Sequence, residues 1–262
     1  MNIKIERTER SLLVIIVLLI IAAILGPEVM QPAQQHGFAD QRFLGYFPNA
    51  ADVISNLPFA LWGIAGLMTL PNVKSNKTSI GLSALFFVGL IVTSFASGRY
   101  HLGLDNAGLV IDRSGMTIAF AGLLGLAGAD RISLRAGLVL SLSTLILGAI
   151  SVWVSFVFGN VLPWCVLQFG GMALILWMAT RQPLPGALGV RWGVVIFIYA
   201  AAKILELADH AVYDITSQLI SGHSLKHIVA SFAAWPVVSA LRTQVIFDNN
   251  SAAYGANRIY IK

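Results

Sequence analysis

The feature that most constrains the fold of this chain is a series of long apolar segments separated by shorter polar ones. Eight such segments occur, at residues 11–26, 51–70, 80–98, 109–128, 136–158, 161–180, 192–207 and 223–241. Most approach the roughly 20 residues with which a helix rising about 1.5 Å per residue crosses about 30 Å of hydrocarbon. With 57% hydrophobic and 11% charged residues, the chain is also far more apolar than a soluble domain. These features predict an all-α, polytopic transmembrane helix bundle.

The Lys and Arg residues fall mainly in alternate polar segments, which predicts the orientation of the bundle. Only Arg42 and Arg99 belong to the segments of one face. The opposite face holds Lys4, Arg7, Arg10, Lys74, Lys77, Arg131, Arg135, Arg181, Arg191, Arg242, Arg258 and Lys262. Because cytoplasmic loops carry the excess of Lys and Arg, both termini are predicted to be cytoplasmic. This asymmetry explains the formal net charge of +5, so no nucleic-acid partner is expected.

The predicted spans divide the chain into four parts. These are an N-terminal cytoplasmic segment with an extra transmembrane helix (1–30), an outer loop segment (31–50), a seven-helix core (51–245) and a cytoplasmic tail (246–262). The first apolar segment follows a basic stretch, as in a secretory signal, but no small-x-small cleavage site precedes Gly26 and Pro27, which favours an uncleaved anchor. The single Cys165 excludes an internal disulfide.

Four ionisable residues map to the non-cytoplasmic ends of the predicted spans. His101 ends the third span, Asp112 begins the fourth, and His223 and His227 begin the eighth. Ser97 and His101 are four residues apart and therefore share one helix face, and His223 and His227 repeat this spacing. Three imidazoles and a carboxylate at one membrane depth are typical of a catalytic metal site.

Each of these residues also has a structural explanation. A lone histidine near a helix end is often only a polar residue at the headgroup boundary. Ser97 could serve helix packing, and Asp112 could pair with Arg113 or cap its helix. Their coincidence at one membrane face favours the functional interpretation.

Other polar residues fall near the same face. His36 and His210 lie in loops and share no helix face with another histidine, so they are not expected to bind metal. Asn49, Asp52 and Asn56 share one face of the second span. They either orient the metal ligands or form hydrogen bonds between helices.

The ordered set of motifs resembles that of the CREST superfamily of membrane hydrolases and is most similar to that of the alkaline ceramidases, including those of bacterial type. The set comprises Ser97-x3-His101, Asp112 eleven residues beyond that histidine, and His223-x3-His227. Supporting stretches are DVISN at 52–56, SGRYH at 97–101 and SGHSLKH at 221–227. The similarity covers about residues 38–245, which would be the seven helices of the family, with the first apolar segment as an extra helix in front.

The resemblance implies one catalytic Zn²⁺ bound by His101, His223 and His227, with Ser97 and Asp112 beside it as catalytic residues. It implies hydrolysis of the amide bond of ceramide, or of a related N-acyl lipid, to a sphingoid base and a free fatty acid. The expected partner is therefore a membrane lipid. The expected location is a bacterial inner membrane, with the active site toward the periplasm.

Two further implications concern calcium and the reaction class. Eukaryotic alkaline ceramidases that resemble this chain carry an acidic, calcium-binding segment before the first family helix. Here Asp40 is followed by Gln41 and Arg42, and Asn49 stands where a carboxylate is expected, which argues against calcium. The superfamily also includes adiponectin-type receptors and lipid-remodelling factors. A zinc-containing lipid receptor or sensor and a lipid-remodelling hydrolase therefore stay open as alternatives.

Overall fold

The computed structural model describes residues 6–31 and 36–246, and the chain is all-α. Its helices are α1 (Arg7–Leu25), α2 (Ala50–Ile54), α3 (Leu57–Thr69), α4 (Lys77–Leu102), α5 (Asn106–Arg131), α6 (Leu134–Phe158), α7 (Leu162–Ala179), α8 (Trp192–Leu207), α9 (Asp209–Ile215) and α10 (Gly222–Ser231). Short 3₁₀ turns follow α3 at Leu70–Asn72 and α10 at Phe232–Ala234, and the chain is again helical over 235–246. The predicted all-α bundle is therefore confirmed.

Seven segments within the described residues are long and apolar enough to cross a membrane, including the N-terminal one. They are Arg7–Leu25, Ala50–Asn72, Lys77–Leu102, Asn106–Arg131, Leu134–Phe158, Leu162–Ala179 and Gly222–Ile246. Two of them contain breaks. Pro58 follows the break between α2 and α3, and Pro236 follows the 3₁₀ turn after α10. Proline lacks the N–H group that would continue the hydrogen-bond ladder at these points.

The expectation of eight spans is corrected to seven candidate spans. The segment over 192–207 does form α8, but its 16 residues extend only about 24 Å at 1.5 Å per residue. Helix α8 ends because Ala208 leaves helical geometry, and Asp209 then begins the short helix α9. The division of the chain into four parts stays a prediction, and residues 247–262 of its tail lie outside the described residues.

Helices α4 and α5 pack closely along their length because glycines remove the side chains between them. A Cβ added at Gly122 would lie 2.2 Å from the backbone nitrogen of Phe86. A Cβ added at Gly89 would lie 2.3 Å from the backbone nitrogen of Ala119. This packing fixes the antiparallel pair whose connecting turn stands beside the histidines. We call the end of the bundle that contains this turn (103–105) the site end.

Arg131, Arg135 and Arg181, three of the basic residues predicted to share one membrane face, lie at the opposite end. Arg131, at the end of α5, donates hydrogen bonds to the carbonyls of Arg181 and Val190. The carboxylate of Glu9 in α1 accepts a hydrogen bond of 2.6 Å from Ser133 and is paired with Arg135. These contacts attach the N-terminal helix to the turn between α5 and α6. Which end faces the cytoplasm stays a prediction.

Substituting Gly122 by Ala is expected to destabilise the bundle by about 1–3 kcal/mol, because its methyl group would overlap the α4 backbone. The measurement is thermal unfolding of the purified protein in detergent, read as Tm. Gly81→Ala is the matched control, because a Cβ at Gly81 meets nothing within 4 Å. Equal Tm values for the two variants would contradict the proposed role of close α4–α5 packing.

Candidate metal centre

Three histidines from two helices meet at the site end. His101 lies in the last turn of α4, and His223 and His227 lie in the first two turns of α10. One ring nitrogen from each lies within 4.8 Å of those of the other two. All three side chains are buried. The predicted convergence of these residues is confirmed, and the cluster could hold a metal ion.

The spacing of the ring nitrogens fits a tetrahedral metal site. The Nε2 atoms of His101 and His223 are 3.3 Å apart. Two nitrogens bound at about 2.0–2.1 Å to one tetrahedral zinc lie about 3.3–3.4 Å from each other. Three neutral imidazoles are also a recognised ligand set for catalytic zinc, which leaves a fourth position open.

Hydrogen bonds fix the orientation of the His227 ring. Its Nδ1 atom lies 2.9 Å from the Ser55 hydroxyl oxygen, and that hydroxyl donates its own hydrogen to the carbonyl of Asp52. When Nδ1 carries the proton, it donates to the Ser55 oxygen, and the Asn56 amide nitrogen lies 3.4 Å from the same Nδ1 atom. The lone pair of the neutral ring then resides on Nε2, which is the tautomer that a metal ligand needs.

A buried carboxylate faces the outer nitrogen of the His101 ring. The Oδ2 atom of Asp52 and the Nδ1 atom of His101 are 3.9 Å apart, and neither has a hydrogen-bond partner in the described part of the chain. The other oxygen of Asp52 accepts a hydrogen bond of 2.6 Å from Ser224. Ligand histidines commonly direct the second ring nitrogen toward a carboxylate, which holds the ring and raises its basicity.

The polar residues on one face of the second span lie beside the possible metal ligands and also form hydrogen bonds between helices. Asp52 faces His101, whereas Asn49 donates a hydrogen bond of 3.0 Å to the His101 carbonyl. Asn56 accepts a hydrogen bond from Ser94 through its backbone carbonyl and so links α4 to the break between α2 and α3. Sequence reasoning missed Ser55, because a lone serine near a helix end carries no distinctive signal.

The segment over 36–49 packs across the site end. The Phe38 ring lies 4.1 Å from the His223 ring and 4.9 Å from the His101 ring, centroid to centroid. Asp209 accepts hydrogen bonds from the backbone N–H groups of His223 at 2.8 Å and Ala39 at 2.9 Å. The loop and α10 are therefore held together by one carboxylate, and Phe38 covers the cluster.

Ser97 and Asp112 line a cavity together with His227. The cavity volume is about 100 Å³, and Ser97 of α4 and Asp112 of α5 both contribute to its lining. Helix α5 is capped by Asp105, whose Oδ1 accepts the Gly108 N–H. No ion pair joins Asp112 to Arg113 among the residues described. The structural alternatives for Asp112 are therefore wrong, whereas its catalytic role stays a prediction.

Three more charged residues line the same cavity. Lys203 pairs with Glu206, as their spacing predicts, and Lys226 also pairs with Glu206 at 2.6 Å. Lys226 therefore extends into the bundle. The Glu206 carboxylate of α8 binds the Lys226 ammonium group inside the bundle. The spacing of residues within α10 alone does not reveal this contact.

Asp40, the acidic residue that precedes the second span, forms an ion pair with Arg42. Arg42 binds Asp40 at 2.7 Å, and this hydrogen bond holds the pKa of the Asp40 carboxyl below its usual range. Arg42 also donates to the Leu219 carbonyl. Asp40 thereby helps to fasten the loop over 36–49 to the one that precedes α10.

The two remaining histidines lie outside the cluster. The Nδ1 atom of His36 is 2.8 Å from the Tyr100 hydroxyl, and the Nε2 atom of His210 is 3.1 Å from the Gly37 carbonyl oxygen. Both therefore take part in contacts that fasten the segment beginning at residue 36 to the bundle.

No protein-family model matches this chain, and no curated protein matches it either. The chain is thus a membrane protein with seven candidate spans and a buried cluster of three histidines, and its resemblance to a superfamily depends on the motif positions alone.

Substitution of His101, His223 or His227 by Ala is expected to abolish stoichiometric zinc binding, because two imidazoles do not complete the site. Elemental analysis of zinc-loaded, desalted protein measures this. His210→Ala is the matched control and should keep one zinc per chain. Full zinc content in any of the three cluster variants would remove that residue from the ligand set.

Asp52→Asn is expected to weaken zinc affinity about 10- to 100-fold without changing stoichiometry, because the carboxylate that faces His101 loses its charge. Competition with a chelator of known affinity measures the change. Asp105→Asn makes the same substitution at the α5 cap, where Asn serves equally well, and should leave affinity unchanged. Unaltered affinity in Asp52→Asn would show that Asp52 does not support the site.

Proposed function

We propose that the protein is a zinc-dependent intramembrane amidase that hydrolyses the amide bond of ceramide or a related N-acyl lipid. The observation that supports this most is the shared cavity of His227, Ser97 and Asp112. A structural metal site needs no proton acceptor and no open cavity beside it. A hydrolase needs both.

His101, His223 and His227 would hold the zinc ion. Bound there, zinc activates water near neutral pH and polarises the substrate carbonyl. Asp112 would accept the proton of the attacking water and deliver it to the leaving amine. Ser97 would donate a hydrogen bond to the oxyanion that develops on the carbonyl carbon.

A nucleophilic role for Ser97 is less well supported. Such a serine needs a general base within hydrogen-bond reach, usually a histidine. The nearby histidines form the cluster, and the Asp112 carboxylate lines the same cavity as Ser97. The arrangement therefore favours attack by water.

The walls of the cavity suit a lipid substrate. Beyond the polar group at its site end, the cavity is lined mainly by apolar side chains from α3, α4 and α5, among them Phe59, Phe86, Leu90, Met116 and Leu123. Apolar walls bury hydrocarbon, while a few polar groups orient the reacting bond. An acyl chain among these residues would leave its amide at the site end, beside the histidines.

The proposal extends to topology. Because Arg131, Arg135 and Arg181 lie at the opposite end, the positive-inside rule would place the site toward the periplasm of a bacterial inner membrane. The rival function is a zinc-containing lipid receptor, for which binding alone would suffice.

Asp112→Asn is expected to retain zinc and to lower the hydrolysis rate by about 100-fold or more, because the amide cannot accept a proton. Ser97→Ala should also retain zinc and lose about 100-fold in rate. The assay follows release of a fluorescent fatty acid from an N-acyl sphingoid base, with Asp105→Asn as the control.

Two outcomes would contradict these roles. Unchanged turnover in Asp112→Asn would assign the proton transfer to another group. No fatty-acid release by the zinc-loaded, unaltered protein from any N-acyl lipid would favour the receptor function.

A further inference from the structure

A second cavity lies at the site end, on another side of α5. Its volume is about 390 Å³, and its polar lining includes Gln31, His36, Asn106, Arg113 and Ser155. It shares no lining residue with the cavity that holds Asp112. No carboxylate contributes to this lining. The cavity is therefore polar and carries one permanent positive charge, that of Arg113.

The Arg113 guanidinium is only partly satisfied by the protein. Its Nη1 atom donates to the Ser155 hydroxyl and to the Gln31 side-chain oxygen. Its Nε and Nη2 atoms have no hydrogen-bond acceptor in the described part of the chain, and neither is sealed from the cavity. Three of the five N–H donors are consequently open to a ligand.

The charge of Arg113 is likewise without a close counter-ion. No carboxylate oxygen lies within 4.0 Å of its nitrogens in the residues described. The Trp164 ring lies 5.6 Å from its central carbon, which provides a weak cation–π contact. In the described part of the chain, the arginines that pair with a carboxylate are Arg42 in a loop and Arg131 and Arg135 at the opposite end. An unpaired charge within a membrane helix is costly and usually marks a functional site.

From these observations we infer that this cavity binds an anionic group, a phosphate or a carboxylate. Guanidinium is the side chain best suited to such groups, because its planar fork offers parallel N–H donors to two oxygens. Gln31 and Ser155 hold one side of the fork in place. The open Nη2 and Nε edge is then presented to the ligand.

The position of the cavity relates it to the proposed reaction. Asp112 and Arg113 are consecutive, with Cα atoms about 3.8 Å apart, yet their side chains line different cavities. The Tyr100 hydroxyl lies 2.8 Å from the Nδ1 atom of His36, which lines the second cavity. The inference requires one lipid to place its acyl chain in the first cavity and its headgroup in the second.

This inference rests on the proposed function and narrows its substrate class. The preferred N-acyl lipid carries a phosphate or carboxylate in its headgroup, in place of the uncharged headgroup of ceramide. Arg113 is then the residue that determines headgroup specificity.

The test measures binding without hydrolysis, so its result does not depend on whether the protein is an amidase. Full-length protein is stripped of metal with a chelator, which also prevents any bound ion from attracting the anion. Two fluorescent probes with the same short acyl chain are compared by anisotropy, namely ceramide 1-phosphate and ceramide. The unaltered protein is expected to bind the phosphorylated probe at least about tenfold more tightly, because the Arg113 guanidinium would form a charge-assisted hydrogen bond with its phosphate.

Two variants assign the preference to the cavity. Arg113→Gln should remove the preference, whereas Arg113→Lys should keep part of it through its charge. Arg99→Gln is the matched control, since it removes an exposed arginine from the same end of the bundle and should retain the preference. Tm values confirm that each variant is folded.

Three results would overturn the inference. Equal affinity of the unaltered protein for the two probes would show that no anionic headgroup is recognised, and this comparison needs no variant. An undiminished preference in folded Arg113→Gln would locate recognition elsewhere. If inorganic phosphate displaces the probe at concentrations near the affinity of the lipid, the cavity binds a free anion and the assignment to a lipid headgroup is wrong.

Discussion

The structure around the histidines depends on polar contacts buried in an apolar bundle. Imidazole rings taken out of water destabilise a fold unless partners satisfy their nitrogens. Ser55, in the break between α2 and α3, supplies such a partner to His227, and Asp52 of α2 faces His101 at 3.9 Å. Pro58 follows this break, so the irregular backbone that exposes polar groups is encoded locally. The same segment therefore places polar groups beside two of the three rings.

Helix α5 separates three charges that are close in sequence. Asp105 caps the helix, Asp112 faces the cavity beside the histidines, and Arg113 faces the second cavity. Because successive residues on a helix point about 100° apart, neighbouring charges of opposite sign are directed to different compartments instead of neutralising each other. One helix thus supplies a carboxylate to one cavity and a cation to the next.

Much of the fold and the histidine cluster could be predicted from the sequence, because both follow from periodic patterns. Apolar length predicts spans, and the four-residue spacing of His223 and His227 places two rings on one face. The short α8, the inward turn of Lys226 and the contact of Ser55 with His227 were not predicted. Each depends on contacts between helices distant in the chain, or on where a helix ends. The spacing of residues along one helix predicts neither these contacts nor the helix ends.

The central claim is that three imidazoles from α4 and α10 bind one metal ion at the site end. The most direct test is the X-ray absorption spectrum of zinc-loaded protein at the zinc edge. We expect three nitrogen ligands at about 2.0–2.1 Å, with imidazole scattering, and one oxygen. A first shell that contains sulfur, or only oxygen ligands, or fewer than three imidazoles, would contradict it.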